Sequence, residues 1–344
     1  MREPLRRGLE GGSGGGHNAA SAAGEERSAR GGRMVELIGL GLATLDHLMQ
    51  VESFAQPVGQ TKVKGFDIQG GGLTATALVA AARLGLSTEL WGVAGTDRLG
   101  DWIVAGLEAE GVGLQRFRRR EGMEGPLVLV FVDGETGERR FQLARWLRDA
   151  DPYPLELERL DGAKCLLVDG MFPRAAVEAA RYARSRGIPV VADLGGVEGK
   201  QRELVSLVDY LVTNEDCARR VAGPRRVGPA GPDDPDTACS RACTLMLGMG
   251  PRVVVATLGG RGSVYGEGES ISRQPAFPVS VVDTTGAGDC FHGAFCVGVV
   301  RGWGLGETVR FASAAAAIKC QRLGGRAGLP RMMEVEAFLR ERGV

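Results

Sequence analysis

Asp283 and Asp289 bracket a glycine turn in "SVVDTTGAGDCFHGAF", Ser280–Phe295, and their spacing implies a chemistry. If Val281 and Val282 close a strand near Asp283 and a helix begins near Asp289, the amides of Gly286, Ala287 and Gly288 lie unpaired at the helix N-terminus. Free N–H groups and the positive end of the helix dipole make an anion site there, and glycine lets a phosphate approach the backbone. A carboxylate fixed beside such a hole can take a proton from an attacking hydroxyl while the hole stabilises charge on a transferring phosphoryl group. Asp289 stands in that position. On the local pattern alone it serves equally well as a helix cap, because Asp is favoured at helix starts. Asp283 reads most simply as the anchor of an Asx-turn.

Such residues need a scaffold, and the rest of the chain describes one. Short apolar runs alternate with helical patterns from Met34 onward. Strand candidates are Val35–Gly41, Thr88–Ala94, Cys165–Asp169, Pro189–Asp193, Tyr210–Thr213, Arg252–Leu258 and Gly262–Tyr265. Helical candidates are Thr74–Leu84, Asp101–Glu110, Pro173–Ser185, Gln201–Leu207, Asp216–Val221, Thr237–Met249, Asp289–Arg301, Gly306–Gln321 and Met332–Arg342. Runs such as "CLLVD" and "RVVVATL" are continuously apolar, as parallel strands covered on both faces must be. The alternation predicts a doubly wound α/β fold, in which loops at the carboxyl ends of the strands carry the ligand site. Two segments, Gln56–Gln69 and Pro126–Ala144, are more β-like, the second with an Asp-Gly-Glu-Thr-Gly turn, and predict a small accessory sheet used either as a lid or as a plain edge hairpin. The proline-rich stretch Ala222–Asp236 reads as a surface loop.

Composition excludes several classes. The chain has 344 residues, enough for a large core. Lys+Arg and Asp+Glu are equal at 42 each, so no global field favours nucleic acid or an anionic membrane, and any anion must be gripped locally. Seven dispersed cysteines without a CxxC pair, beside three histidines, suit neither zinc nor a disulfide framework and fit a reducing cytoplasm. No apolar run reaches the roughly 18 residues of a membrane span, and residues 1–33, rich in Gly, Ser, Ala and Arg, carry no signal-peptide core and read as a disordered extension. "GLGLAT" from Gly39 lacks the third glycine of a dinucleotide fingerprint, there is no Walker-type glycine loop, and His292 reads as a packing or solvent residue.

Two long stretches carry a resemblance. "DTTGAGDCFHGAF" resembles the C-terminal signature of the ribokinase-like, or PfkB, family of carbohydrate kinases, and "GGGLTATALVAAARLG" with "GVAGTDRLGDWIVAGLEAEGV" resembles its N-terminal signature. Both stand in the family's order, and the likeness runs from Val35 to the C-terminus. It implies a three-layer α/β sandwich, a central mostly parallel sheet between helices with a small β-sheet lid, over residues 34–344. It also implies ATP- and Mg2+-dependent phosphorylation of a hydroxyl, with a primary one favoured, on a sugar or sugar derivative. Asp289 matches the catalytic base, and Gly286, Ala287 and Gly288 the anion hole. Asp46 matches the acid that binds substrate hydroxyls, Gly71 and Gly72 the glycine pair against which substrate rests, and Thr76 stands where the family often has Asn. "TLGGRGS", with Thr257, Gly259 and Gly262, resembles the nucleotide loop, and "AAAIKCQRLGGRAGLP", with Cys320 and Gly324, the adenine wall. The resemblance gives Asp283 a monovalent cation, potassium, to hold.

The chain departs from the pattern in places. The family's Asn-x-x-Glu becomes "TNEDCARRVAG", with Cys217 where the Glu falls; thiolate is a poor ligand for magnesium, which leaves Glu215 or Asp216 to act through waters. The tail looks most like the sulfofructose-kinase branch, but Leu143 and Met171 at the apparent pocket positions offer a sulfonate nothing, and Arg139, Arg140 and Arg145 read first as exposed hairpin charges. The alternatives are a nucleoside kinase, needing an aromatic wall for which Phe66, Phe131 and Phe172 are the candidates, and a non-catalytic sugar-binding regulator, with an NAD-type dehydrogenase behind both. A homodimer joined through the lid sheets is expected because open sheet edges tend to be paired or covered.

Overall fold

Apolar residues in this chain sort to two faces of one sheet, residue by residue. The computed structural model describes residues 34–54, 62–136, 138–145, 152–199, 201–223, 227–228, 231–232 and 235–344. The expected disordered extension at 1–33, residues 56–61 of the first lid segment and much of the proline-rich loop lie outside them. Strands β1 (Leu37–Leu40), β2 (Thr44–Val51), β3 (Val63–Gly71), β4 (Thr88–Trp91), β5 (Val93–Gly95) and β6 (Arg118–Arg120) come first. Then follow β7 (Leu127–Asp133), β8 (Arg139–Arg145), β9 (Cys165–Val168), β10 (Val190–Asp193) and β11 (Tyr210–Asn214). The last are β12 (Val227–Gly228), β13 (Gly231–Pro232), β14 (Val253–Thr257), β15 (Ser263–Glu267) and β16 (Ser270–Gln274). The helices are α1 (Leu73–Arg83), α2 (Arg98–Ala109), α3 (Pro173–Ser185), α4 (Gln201–Val205), α5 (Glu215–Ala222), α6 (Pro235–Leu247), α7 (Ala287–Arg301), α8 (Leu305–Lys319) and α9 (Met332–Arg340).

The central sheet has eight strands in the order β16-β15-β14-β11-β10-β9-β1-β4, parallel from β14 to β4, with β15 and β16 antiparallel at one edge. Side chains alternate across it. Cys165, Leu167, Val191, Val212 and Val255 pack with α1, α2, α7, α8 and α9, whereas Leu166, Val168, Val190, Leu211 and Val254 pack with α3, α4, α5 and α6. Both faces are covered, so the strands read as unbroken apolar runs. The result is the expected three-layer α/β sandwich.

A second sheet, in the order β3-β2-β7-β8, is the expected small sheet. It uses β2 in addition to the two β-like segments, and β2 pairs with β7 in parallel. Its inward face carries Asp46, Leu48, Val128 and Val130, with Leu48, Val128, Val130 and Val132 closed by Leu323 from the C-terminal loop. The outward face carries His47, Met49, Phe66, Ile68, Leu129 and Phe131.

Two local expectations are corrected. Val281 and Val282 form no strand: both side chains are exposed, and the Val282 amide donates to the Cys320 carbonyl at 2.8 Å instead of to a sheet. Helix α7 begins at Ala287, two residues ahead of the expected start, because Gly286 adopts the left-handed backbone that turns the chain into it.

Candidate active site

The carboxyl ends of β9, β10, β11 and β14 open on one edge of the sheet, and acids stand at two of them. Asp169 follows β9 and is almost fully buried; its Oδ2 accepts from the Leu42 amide at 2.7 Å and the Thr74 hydroxyl at 2.9 Å, its Oδ1 from the Met171 amide at 2.9 Å. It therefore clamps the β1–β2 turn to the start of α1. Asp193 ends β10 with few such donors, and burial followed by repulsion from Asp169 pushes its carboxyl up to about 8.

Asp289 is the third residue of α7, in its first turn; Gly286 supplies no side-chain cap, and the Ala287 amide donates to the Thr284 carbonyl at 3.1 Å. Burial first, then Asp193 and Asp46, raise Asp289 to about 7, against the pull of His292 and Arg139. Asp46 on β2 accepts from Thr44 Oγ1 at 2.6 Å; burial raises it to about 6, opposed by that hydrogen bond and by Arg326. Three carboxyls with raised pKa values thus sense one another at the strand ends, the pattern of a site that handles protons.

Neighbouring groups fix these acids. A Cβ on Gly71 would lie 2.1 Å from Asp46 Oδ2, so only glycine fits beside that carboxylate. Gly72 caps α1, its carbonyl accepts from the Thr76 amide at 2.9 Å, and the Thr76 side chain is buried. Arg139 of β8 reaches from the small sheet to Thr284, donating to its carbonyl and, at 2.7 Å, to its hydroxyl. His292, expected as a packing or solvent residue, is buried one turn along α7, with Nδ1 2.6 Å from the Gly288 carbonyl and Nε2 3.3 Å from Asp193 Oδ1; burial holds its pKa below the usual range.

At the positions expected to border a nucleotide, Thr257 ends β14 and donates to the Thr213 carbonyl at 3.1 Å, and Gly259 and Gly262 shape the 3-10 turn before β15. Cys320 is half-buried just past α8, and the Gly324 amide donates to Asp283 Oδ2 at 2.7 Å. Asp283 does anchor an Asx-turn, accepting from the Thr285 amide at 2.8 Å.

The expected metal ligands are not brought together. Arg219 Nε donates to Glu215 Oε1 at 2.6 Å, Arg261 stands 2.6 Å from its Oε2, and these contacts hold its carboxyl below the usual range. Asp216 is exposed, and buried Cys217 lends only its amide, to Asn214 Oδ1 at 2.9 Å. Among the described residues no group of three or more His, Cys, Asp and Glu side chains could hold a metal ion. Asp193 and Asp289 are instead carboxyls whose ionised forms the protein offsets poorly, and a hard divalent cation against them would favour ionisation. Asp283 offers potassium little: Thr285 and Gly324 fill its carboxylate, and Lys319 Nζ donates to its carbonyl at 2.8 Å.

Sequence reasoning missed Asp169, Asp193, Lys319 and Arg326, whose guanidinium is buried and donates to the Gly71 carbonyl at 2.9 Å. The two acids had a readable signal: each closes an apolar run, in "CLLVD" and "VVAD".

The fold and these acids place the chain among phosphotransferases of the sandwich-plus-lid class, and comparison with known proteins agrees. The family model described as pfkB family carbohydrate kinase matches residues 34–332. The ribokinase of Schizosaccharomyces pombe is 29% identical over 317 residues, covering 88% of this chain and 97% of that protein. Ribokinase from Thermotoga maritima superposes with a TM-score of 0.73 at 25% identity, covering 89% of this chain and 99% of the other. Arabidopsis thaliana ribokinase, solved with ribose and ATP, gives 0.73 at 26% identity, covering 90% and 99%. The chain belongs to the PfkB family and is an ATP-dependent carbohydrate kinase. No helix among the described residues is long and apolar enough to cross a membrane.

Proposed function

We propose that residues 34–344 transfer the γ-phosphoryl group of ATP to a hydroxyl, with a primary one favoured, of a small polyhydroxylated sugar, and that Asp289 is the general base. The observation that carries this reading is the placement of Asp289, a buried carboxyl raised to about 7, in the first turn of a helix whose N-terminus has no side-chain cap. A base poised near neutrality accepts the hydroxyl proton as the phosphoryl group arrives, and the amides of Gly286, Ala287 and Gly288 take up the charge on its oxygens. Asp46 holds acceptor hydroxyls against the bare backbone of Gly71 and Gly72. Thr257, Gly259, Gly262, Cys320 and Gly324 border the nucleotide. Mg2+ entering with ATP would shield the phosphates, and Asp193 is the carboxylate we assign to its shell, with Asp216 more remote. Arg139 bridges lid and turn, which suits a lid that closes over the acceptor.

Nucleoside acceptors fit less well. Phe66 and Phe131 point outward from the lid and Phe172 is buried, so none of the three forms a base-stacking wall; Phe141, half exposed on the inward face, is the ring that could. A binding-only regulator would have no use for a base tuned to about 7. The partner we propose is a second copy meeting the outward lid face.

The test is a panel of ketoses, aldoses, sugar acids, sulfonated sugars and nucleosides with Mg-ATP, run on wild type and Asp289→Asn. Turnover on at least one acceptor is expected, with a fall of about 10²–10⁴-fold in the variant, the usual cost of losing a general base. Sugar and ATP affinity should barely change, since the anion hole is backbone. Wild-type turnover in the folded variant would remove Asp289 from this role.

A further inference from the structure

Lys319, the last residue of α8, is completely enclosed, and so is the side chain of Asp283. A lysine at a helix end ordinarily runs its stem along the surface and keeps the ammonium in water. This one points inward. Its Nζ donates to the Asp283 carbonyl at 2.8 Å and stands 4.0 Å from Asp283 Oδ2. Burial works against the charged form, and Asp283 works for it.

The ammonium lies where two loops meet. Asp283 Oδ1 accepts from the Thr285 amide and hydroxyl at 2.8 and 2.7 Å, while Oδ2 accepts from the Gly324 amide at 2.7 Å. The amides of Val282 and Asp283 close on the Cys320 carbonyl at 2.8 and 3.2 Å. Gly286 then packs on the C-terminal loop so closely that a Cβ would lie 2.8 Å from the Gly325 carbonyl. The Lys319 amine therefore sits where the Asp283–Gly286 turn meets the C-terminal loop. The oxygens that a monovalent cation would take, the Asp283 carboxylate and carbonyl, already have protein donors, and a second cation beside the ammonium would meet unscreened repulsion.

We propose that Lys319 is a covalently attached substitute for a monovalent cation beneath the anion-binding turn, so that nucleotide binding and phosphoryl transfer in this chain need no potassium. The part concerning transfer rests on the kinase reading above; the part concerning nucleotide does not.

The experiment compares the full chain in potassium chloride and in tetramethylammonium chloride at equal ionic strength, reading ADP affinity, melting temperature and ATP-dependent turnover. All three should agree between the salts. A potassium-specific gain of about tenfold or more in ADP affinity or turnover, the size of an ordinary coupling between two sites, would overturn the proposal. Lys319→Ala removes the ammonium and opens space, so its ADP affinity and melting temperature should fall and potassium should restore them in part. Wild-type values in both salts for a folded Lys319→Ala chain would also overturn it. If that variant does not fold, the wild-type salt comparison decides. Absence of turnover on every acceptor in either salt would defeat the kinase reading, and ADP affinity would still decide the role of Lys319.

Discussion

At the scale of single residues, the raised carboxyls make claims that pH can test. Asp289 must be ionised to act as base, and with a pKa of about 7 it is mostly protonated at pH 6 and mostly ionised at pH 8. The rate kcat/KM should therefore climb across that interval and level off above it. Arg139→Gln removes a charge that favours the ionised form, so the climb should move to higher pH; a profile flat from pH 5.5 to 8.5 in wild type would contradict Asp289 as base. Asp193 makes a stability claim of definite sign. Its pKa rises from 3.8 to about 8 on folding, so the folded state holds a proton that the unfolded chain releases, and stability is lost as pH increases between those values. Asp193→Asn should melt above wild type at pH 8.5, with the gap closing towards pH 4, while turnover falls. Equal melting temperatures at pH 8.5 would show that the charge is offset elsewhere. Asp289 and Asp46 stand out in the sequence because a motif surrounds each. Asp193 offers only the weaker signal of an acid closing an apolar run, because its setting comes from Asp169 and His292, which are distant in sequence and meet it only across the folded sheet.

At the scale of elements, the helix-to-sheet rhythm was readable because burial on both faces forces unbroken apolar strands. β2 escaped notice for a physical reason: Thr44 and Asp46 share one side of the strand and Leu45, His47 and Met49 the other, with Leu45 buried in the main core, so polar residues on both sides interrupt the alternation that marks a strand. Val281 and Val282 misled in the opposite way, since β-branched residues look like a strand even where the backbone bonds to a loop carbonyl. The start of α7 shows what a single backbone position decides. Gly286 has φ 73°, and a Cβ there would press on the Gly325 carbonyl. Gly286→Ala should cost about 1–2 kcal/mol from the left-handed backbone alone, and relieving the clash must move the amides away from the phosphoryl group. Calorimetry should register the lost stability, and turnover should fall by more than stability explains. An alanine variant as active and as stable as wild type would mean that the turn adapts and that its geometry is not what holds the anion.

At the scale of the whole molecule, the lid presents two faces of different character. The inward face carries Asp46 and Arg139 and buries Leu48, Val128 and Val130. Among the described residues no helix or second sheet covers the outward face. Phe66 is 60% exposed and Ile68 39%, in register with His47 and Met49 on the neighbouring strand, and Leu129 and Phe131 extend the same stripe. An apolar stripe across a sheet whose edge strands β3 and β8 pair with no further strand among the described residues invites pairing. A second copy is the occupant we favour, because a self-complementary apolar face closes in a two-fold dimer without further design. Light scattering of the full chain should give twice the chain mass at working concentration. The double variant Phe66→Glu and Ile68→Glu places four like charges across a two-fold contact and should give monomers with an unchanged melting transition in dilute solution. If the lid borrows rigidity from its twin, those monomers should also bind the acceptor more weakly while ATP affinity, set by loops of the large sheet, stays the same. A wild-type chain that scatters as a monomer at high micromolar concentration would leave the stripe without a second copy and remove the dimer from this account.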